Sequence, residues 1–313
     1  MPRLRFFPPA SAFRTSRAAP NERPTQRPML GILFRLIAVS SVALMATMVK
    51  LGGETGLETV EMIFWRFAFA LPPTLLWVWL GPGLARLRPN RIRAHFWRAG
   101  VGLFAMYMVY WSVTLLPLAE ALTIGFAAPL FATALSALLL KEAVGIYRWA
   151  AIAAGLAGVA IVMQPSTGNL PLIGVLVALG AAFGVGCATV TIRQVGRSES
   201  AEAIVVWFSV IAVCLLGALM PFIYSPHSAE QWLILALIGL FGGLGQIFIT
   251  LSLRFAPVPV IAPFDYAQLL WAVGLGFIVF GDIPAAATWA GALLIVGSGL
   301  FTLYRERRRA RLV

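Results

Sequence analysis

Charge is the property this sequence has least of. Charged residues fill 12% of its 313 positions, against about 25% in soluble globular domains, while hydrophobic residues fill 60%. Mean hydropathy is +0.88. A water-solvated globular enzyme is excluded by that balance. Cysteine is almost missing: Cys187 and Cys214 both lie inside apolar stretches, so they read as small packing residues and not as a disulfide framework. Histidine is equally scarce. His95 and His227 are far apart in the chain, and no Cys/His/acid group has metal-ligand spacing, so neither a metal nor a cofactor is expected. No G-x-x-x-x-G-K-[ST] loop occurs. Gly242-Gly243-Leu244-Gly245 lies within an apolar run with no strand before it, so ATP is not expected to be the direct energy source.

What the chain has in abundance is long apolar blocks. They recur from residue 29 to residue 304, each about 20 residues long, enough to cross ~30 Å of hydrocarbon as a helix. The blocks are continuous and not alternating in polarity, which favours helices over the strands of a barrel. The predicted spans are 30–52, 57–80, 95–116, 118–140, 146–164, 170–192, 203–223, 231–253, 258–280 and 285–304.

The net charge of +12 would suggest nucleic acid in a soluble chain, but the positions of the charges describe a topology. Basic residues gather in the second connection and its borders (Arg86, Arg88, Arg91, Arg93, Arg98), the fourth (Lys141, Arg148), the sixth (Arg193, Arg197) and the eighth (Arg254), and at both ends. The odd-numbered connections carry no Lys or Arg. Under the positive-inside rule this alternation predicts an even count of helices, both termini cytoplasmic, and a multi-pass protein of the cell (inner) membrane. Its partners are then the lipid bilayer and a small-molecule metabolite, not nucleic acid. Residues 1–28 hold one acid, Glu22, and too little apolar surface for a core, and are expected to form a disordered basic cytoplasmic tail. An organellar transit peptide has the same composition. Met29 stands directly before the first span as a second candidate start. Residues 305–313 form a basic cytoplasmic end.

Sliding the chain against itself gives a gap-free match at an offset of 140 residues. Pro117 falls on Pro257, Glu142 on Asp282 and Trp149 on Trp289. Two repeats follow, 29–164 and 165–304, with five helices each. An odd number sends the second copy through the membrane in the opposite sense, an inverted repeat of the kind secondary transporters use. The fold class expected is an all-α polytopic membrane protein with ten transmembrane helices in two inverted five-helix repeats. The segment from Leu116 to Phe131, the Lys141-Glu142 pair before Trp149, and Phe264 to Trp271 before Gly281-Asp282 resemble the EamA-type drug/metabolite transporter superfamily. That resemblance, over residues 30 to 304, implies ten helices in two EamA repeats and transport of small metabolites: amino-acid-like, nucleotide-like or vitamin-like.

Charge inside a span costs at least a few kcal/mol, so each such residue needs a partner, a wet cavity or the interface. Asp265, with Tyr266 beside it and Gln268 at i+3, presents a face for a cationic or hydrogen-bonding group or a proton; it also reads as a structural carboxylate paired with Arg254 or another helix. Arg66 suits an anionic group or, more simply, a structural ion pair. Glu120, with Thr123 at i+3, is a gate or proton site, or a solvated interfacial acid. Lys50 shares a face with Ser40 and Thr47, but near a helix end it is expected to snorkel. Tyr107, Tyr110, Trp111 and Thr114 recur on the third span, and Gln246 and Thr250 share a face of the eighth with Gly242. They line a cavity or pack a core. Pro129 and Pro263 interrupt the fourth and ninth spans.

The substrate-binding candidates are therefore Tyr107, Tyr110, Trp111, Thr123, Gln246, Thr250, Asp265, Tyr266 and Gln268, and the coupling or ion-pair candidates Arg66, Glu120 and Asp265. No catalytic residue is assigned. The leading function is a secondary transporter working by alternating access, with proton coupling as one driving force. The alternatives are a passive channel and a membrane-embedded lipid-modifying enzyme, the latter needing acids or histidines clustered at one membrane face.

Overall fold

The computed structural model describes residues 27–81, 83–140, 146–162 and 170–310. Among these the regular structure is entirely helical, without strands. The helices are α1 (Pro28–Glu54), α2 (Thr59–Leu80), α3 (Ile92–Leu115), α4 (Leu118–Gly125), α5 (Ala128–Leu140), α6 (Ile146–Val162) and α7 (Leu172–Val195). They continue with α8 (Ala201–Gly217), α9 (Met220–Ile223), α10 (Ala229–Phe255), α11 (Val258–Ile261), α12 (Ala267–Phe280) and α13 (Ala286–Ala310), with 3-10 turns at Leu84–Leu87 and Ala262–Tyr266. Six stretches are long and apolar enough to cross a membrane: Pro28–Glu54, Thr59–Leu80, Leu118–Leu138, Leu172–Val195, Ala229–Phe255 and Ala262–Phe280. Trp149–Val162, Ala201–Gly217 and Ala286–Thr302 are shorter apolar helices.

The bundle is apolar on its outside, as hydrocarbon requires. Leu138, Leu270, Ile278 and Leu293 are all at least 69% exposed, whereas the fully enclosed positions are rich in small residues such as Ala38, Ala43, Ala99, Ala212 and Ala272. Without a hydrophobic drive between helices in lipid, small residues that let backbones approach do the work of association. The contact of α6 with α13 is the tightest instance. A Cβ added at Gly291 would lie 2.5 Å from the Gly158 carbonyl oxygen. The other main neighbours are α1 with α10, α3 with α7, α2 with α10 and α8, α5 with α7, and α12 with α1 and α4.

The spans that carry Pro129 and Pro263 are broken, whereas α2 runs on through Pro72 and Pro73. Pro129, second residue of α5, has no N–H to continue the ladder from α4. The chain turns there through short bonds, with Ala127 N–H donating to the Ile124 carbonyl at 3.0 Å. Pro263 sits in the 3-10 turn Ala262–Tyr266 that separates α11 from α12. The seventh span is also divided, since α8 ends at Gly217 and α9 starts just before Pro221. α12 stops at Gly281, whose φ of +70° favours glycine. That turn carries Asp282 back toward the bundle.

The connections gather in two groups. Gln231 Nε2 donates to the Thr55 carbonyl at 2.9 Å, and Lys50 Nζ, at the end of α1, donates to the Leu116 carbonyl and to Asp282, each at 3.2 Å. These contacts join the first, third, seventh and ninth connections. The second and sixth meet elsewhere: Asn90 Nδ2 donates to the Ser198 carbonyl at 2.6 Å, Ser200 Oγ to the Arg86 carbonyl at 2.8 Å, and Trp207 Nε1 to the Leu87 carbonyl at 2.8 Å. Four of the connections without Lys or Arg thus lie together, and two of the basic ones lie together; the fifth falls largely outside the described residues.

Replacing Gly291 by Ala should cost about 1 to 3 kcal/mol through overpacking against Gly158. Gly297→Ala, where a Cβ meets nothing within 4 Å, should leave the thermal unfolding of the detergent-purified protein unchanged.

Candidate functional site

α1 is the hub of the polar interior. Every segment that carries a predicted binding residue packs on it: α3, α4, α10, the 3-10 turn Ala262–Tyr266 and α12. Two charges on α1 bind the second half of the chain. Arg35 grips Asp265 with two parallel bonds, from Nε to Oδ1 and from Nη2 to Oδ2, the second at 2.7 Å. Fifteen residues on, roughly 22 Å along a helix, Lys50 holds Asp282, with its ammonium 4.8 Å from the Phe280 ring centroid. Lys50 therefore points to a carboxylate and a carbonyl, where snorkelling to the interface was expected. Asp265 has the partner that its structural reading called for, on α1 and not at Arg254.

Two further ionisable contacts cross between the halves, both fully enclosed. His227 Nε2 stands 2.8 Å from Glu61 Oε1, between the start of α2 and the residues before α10. His95 Nε2 stands 3.4 Å from Glu199 Oε2, between the start of α3 and the residues before α8. Neither approach is aligned as a regular hydrogen bond. The Glu199 carboxylate also accepts the backbone N–H groups of Asn90 at 3.1 Å and Arg91 at 2.7 Å. The rings of Tyr224 and Trp232 flank His227 at 5.4 and 5.0 Å. Both histidines of the chain are thus bound to an acid. Sequence spacing did not indicate this, since each partner lies more than 100 residues away; the available signal was the repeat, because an offset of 140 from Glu61 lands between Glu199 and Glu202.

The predicted residues fall into separate groups. Tyr107 and Trp111 on α3 are half-buried, with ring centroids 5.8 Å apart. Tyr110 is 2% exposed, and its hydroxyl donates to Met45 Sδ on α1 at 3.4 Å. Gln246 and Thr250 are half-buried on α10, the threonine hydroxyl donating to the Gln246 carbonyl at 2.9 Å. Glu120, read from sequence as a gate or a solvated acid, is buried and accepts the Thr288 hydroxyl at 2.9 Å. Thr123, beside it on α4, is fully buried with its hydroxyl unpartnered. The Tyr266 ring lies 5.3 Å from Phe126, and Gln268 is half-buried two residues further. Arg66 is buried on α2. The ion pair expected for it is not made among the described residues, where it stands against Gly242, Met45 and the Phe67 ring. Lys141 and Glu142 lie outside the described residues.

The helices α1, α2, α3 and α10 thus enclose a cation, a tyrosine and a thioether, bordered by the ion pairs of α1. Such an arrangement can bind and orient an organic molecule. The description "EamA-like transporter family" matches residues 29–164 and again 172–304. The chain belongs to that family. Membership makes it a multi-pass membrane transporter. It is 31% identical over 293 residues to a riboflavin transporter of Rhizobium johnstonii, covering 91% of this chain and 94% of the relative. A pseudopaline exporter of Pseudomonas aeruginosa is 27% identical over 272 residues, 85% and 93% of the two chains. One crystal structure superposes with a TM-score of 0.62 at 20% identity, covering 90% of this chain and 97% of the other, a likeness of fold alone.

Asp265→Asn would leave Arg35 facing a neutral amide. We expect it to destabilise the protein by about 1 to 3 kcal/mol, less than for a fully enclosed pair because both side chains are partly exposed. The double variant Arg35→Gln/Asp265→Asn should recover part of that loss in a thermal-unfolding cycle. Additive losses would mean that the two groups do not depend on each other.

Proposed function

We propose that the chain is a secondary transporter that carries a small organic metabolite across the cell (inner) membrane. It works by alternating access between two inverted repeats of five helices, residues 29–164 and 165–304. The observation that carries this reading is that the same contact occurs at two places and is exchanged when the halves are exchanged. Matching α1 to α7, α2 to α8, α3 to α10, α4–α5 to α11–α12 and α6 to α13 turns the α1–α10 contact into the α7–α3 contact. The α2–α8 and α6–α13 contacts map onto themselves, and the α1–α12 contact becomes the α7–α5 contact. The same exchange carries the junction that holds Glu61–His227 onto the junction that holds Glu199–His95, although the two pairs do not occupy matching sequence positions. Each pair bridges the halves, and the two belong to the two different groups of connections. Opening a path on one side breaks one pair while the other holds, which is what alternating access requires.

Each pair also supplies a proton-binding group. Each contact is an ion pair only while its histidine is protonated, so a proton strengthens the closed arrangement on its own side, and a ligand that binds two states differently shifts their balance. The relatives named as a riboflavin transporter and a pseudopaline exporter support an organic metabolite rich in heteroatoms. The aromatic and amide groups of Tyr107, Tyr110, Trp111, Gln246 and Thr250, with Thr123, Tyr266 and Gln268 at the boundary with the ninth span, suit such a molecule. The basic second and sixth connections support a cytoplasmic location for that side and for both termini.

Reporter fusions after residues 54, 90 and 313 should read outside, inside and inside. An external C-terminus would overturn both the ten-helix count and the inversion. In proteoliposomes, counterflow of labelled metabolites, with riboflavin among the first tested, should be saturable and should vary between pH 5 and 8; flux without saturation or counterflow would indicate a channel. His95→Gln and His227→Gln should each flatten part of the pH profile, and profiles identical to that of the unmodified protein would overturn proton coupling through these pairs.

A further inference from the structure

Arg66 is a buried cation for which the described residues supply no counter-charge. It stands seven residues into α2, roughly 10 Å along the helix, and is 8% exposed. No described carboxylate forms an ion pair with it, and its Nε is wholly enclosed without a hydrogen-bond partner. The acids at comparable depth are already engaged: Asp265 by Arg35, Glu61 by His227, and Glu120 by the Thr288 hydroxyl. Burying an ion without a counter-charge costs several kcal/mol after relaxation, and the Phe67 ring, 4.5 Å from Cζ, offsets only a part of that. The other buried arginine, Arg98, likewise has Nε and Nη1 enclosed without a hydrogen-bond partner, over the Phe208 ring at 4.2 Å, but it stands in the second turn of α3 beside the basic second connection and not beside a tyrosine hydroxyl that lacks a strong acceptor.

The surroundings of Arg66 are shaped to hold the guanidinium and to complete its bonding with something else. Gly242 on α10 gives it room, since a Cβ there would lie 2.9 Å from Nε and 3.1 Å from Cγ. Met45 of α1 lies against the same spot, at 3.1 Å from that Cβ position. The Tyr110 hydroxyl donates to this methionine sulfur, a weak acceptor that a charged oxygen would readily replace. We propose that Arg66 and Tyr110 together bind the anionic group, a carboxylate or phosphate, of the transported metabolite. Guanidinium donors form a planar fork that fits two oxygens of either group, and the tyrosine supplies a further O–H. The site then neutralises the cation only when loaded, so substrate removes an electrostatic penalty that the empty carrier bears. This rests on the transporter reading above, and it adds the charge class of the substrate.

The test uses full-length protein in detergent, without lipid phosphate, and two probes, inorganic phosphate and pyruvate, each against chloride at equal ionic strength. Either probe should raise the unfolding temperature of the unmodified protein in a concentration-dependent way. Arg66→Gln should abolish that shift and, having no protein partner to abandon, should unfold in chloride no earlier than the unmodified protein. Arg66→Lys, which keeps the charge but not the fork, should weaken probe binding about tenfold, and Tyr110→Phe should weaken it to a lesser degree. If Arg66→Gln fails to fold, Arg66 is structural and the proposal falls; a probe-induced shift of the same size in Arg66→Lys as in the unmodified protein would also overturn it. The absence of any shift with either probe would overturn it as well. An anion shift that depends on Arg66 in a protein that moves nothing in proteoliposomes would leave the binding site standing and remove the transporter reading instead.

Discussion

No charge can stand alone in hydrocarbon, and the fold is arranged around the places where that constraint is met. The bidentate Arg35–Asp265 pair fixes the broken ninth span against α1 at the depth where its backbone is least regular. A span that turns through 3-10 geometry at Pro263 gives up regular helical bonds. Backbone irregular in this way is tolerated at membrane depth only when buried in protein or lining a cavity. The ion pair supplies the burial, and the irregularity supplies the carboxylate at the right angle. α1 therefore acts as a spine whose two charges, Arg35 and Lys50, hold the second half of the chain at both ends of its own length. The other helices arrange their polar groups around that spine.

Much of the architecture was legible in the sequence because membrane spans announce themselves locally. Apolar runs gave the helices to within a few residues, and Pro129 and Pro263 marked two of the breaks, although Pro72 and Pro73 lie within an unbroken α2 and the division of the seventh span was not foreseen. Pairings were not legible. Asp265 and Arg35 lie 230 residues apart, and nothing in either local pattern selects one partner over Arg254. The roles of His95 and His227 were hidden for the same reason: at the ends of spans they read as interfacial, and only the packing of α3 and α10 beside the opposite half encloses them. Arg66 illustrates the opposite case. An ion pair is the economical expectation for a buried arginine, and only the neighbours in space reveal that Asp265, Glu61 and Glu120 are engaged elsewhere.

The binding candidates on α3 and α10 keep a consistent character. Tyr110 is fully enclosed while Tyr107 and Trp111 are half-buried, so one helix face passes from core to wall within a single turn. Gly242 and Gly243 are both buried on α10, where closeness to α2 is set by side chains that glycine does not have. The glycine run that might have been taken for a nucleotide loop is a seat for an arginine and an aromatic-lined helix. Function in this part of the molecule depends on what has been left out as much as on what is present.

Phe126 and Tyr266 occupy equivalent places in the 140-residue repeat, and their rings touch. A residue in contact with its own counterpart sits where the two halves are nearest to being the same object. At this point they differ by one oxygen: the tyrosine hydroxyl reaches so close to Gly299 that even a methyl group there would overlap it. The phenylalanine has no such reach. The two repeats therefore meet here through unlike groups, and in the alternating-access cycle proposed above an exchange of the halves would not be an exchange of identical contacts.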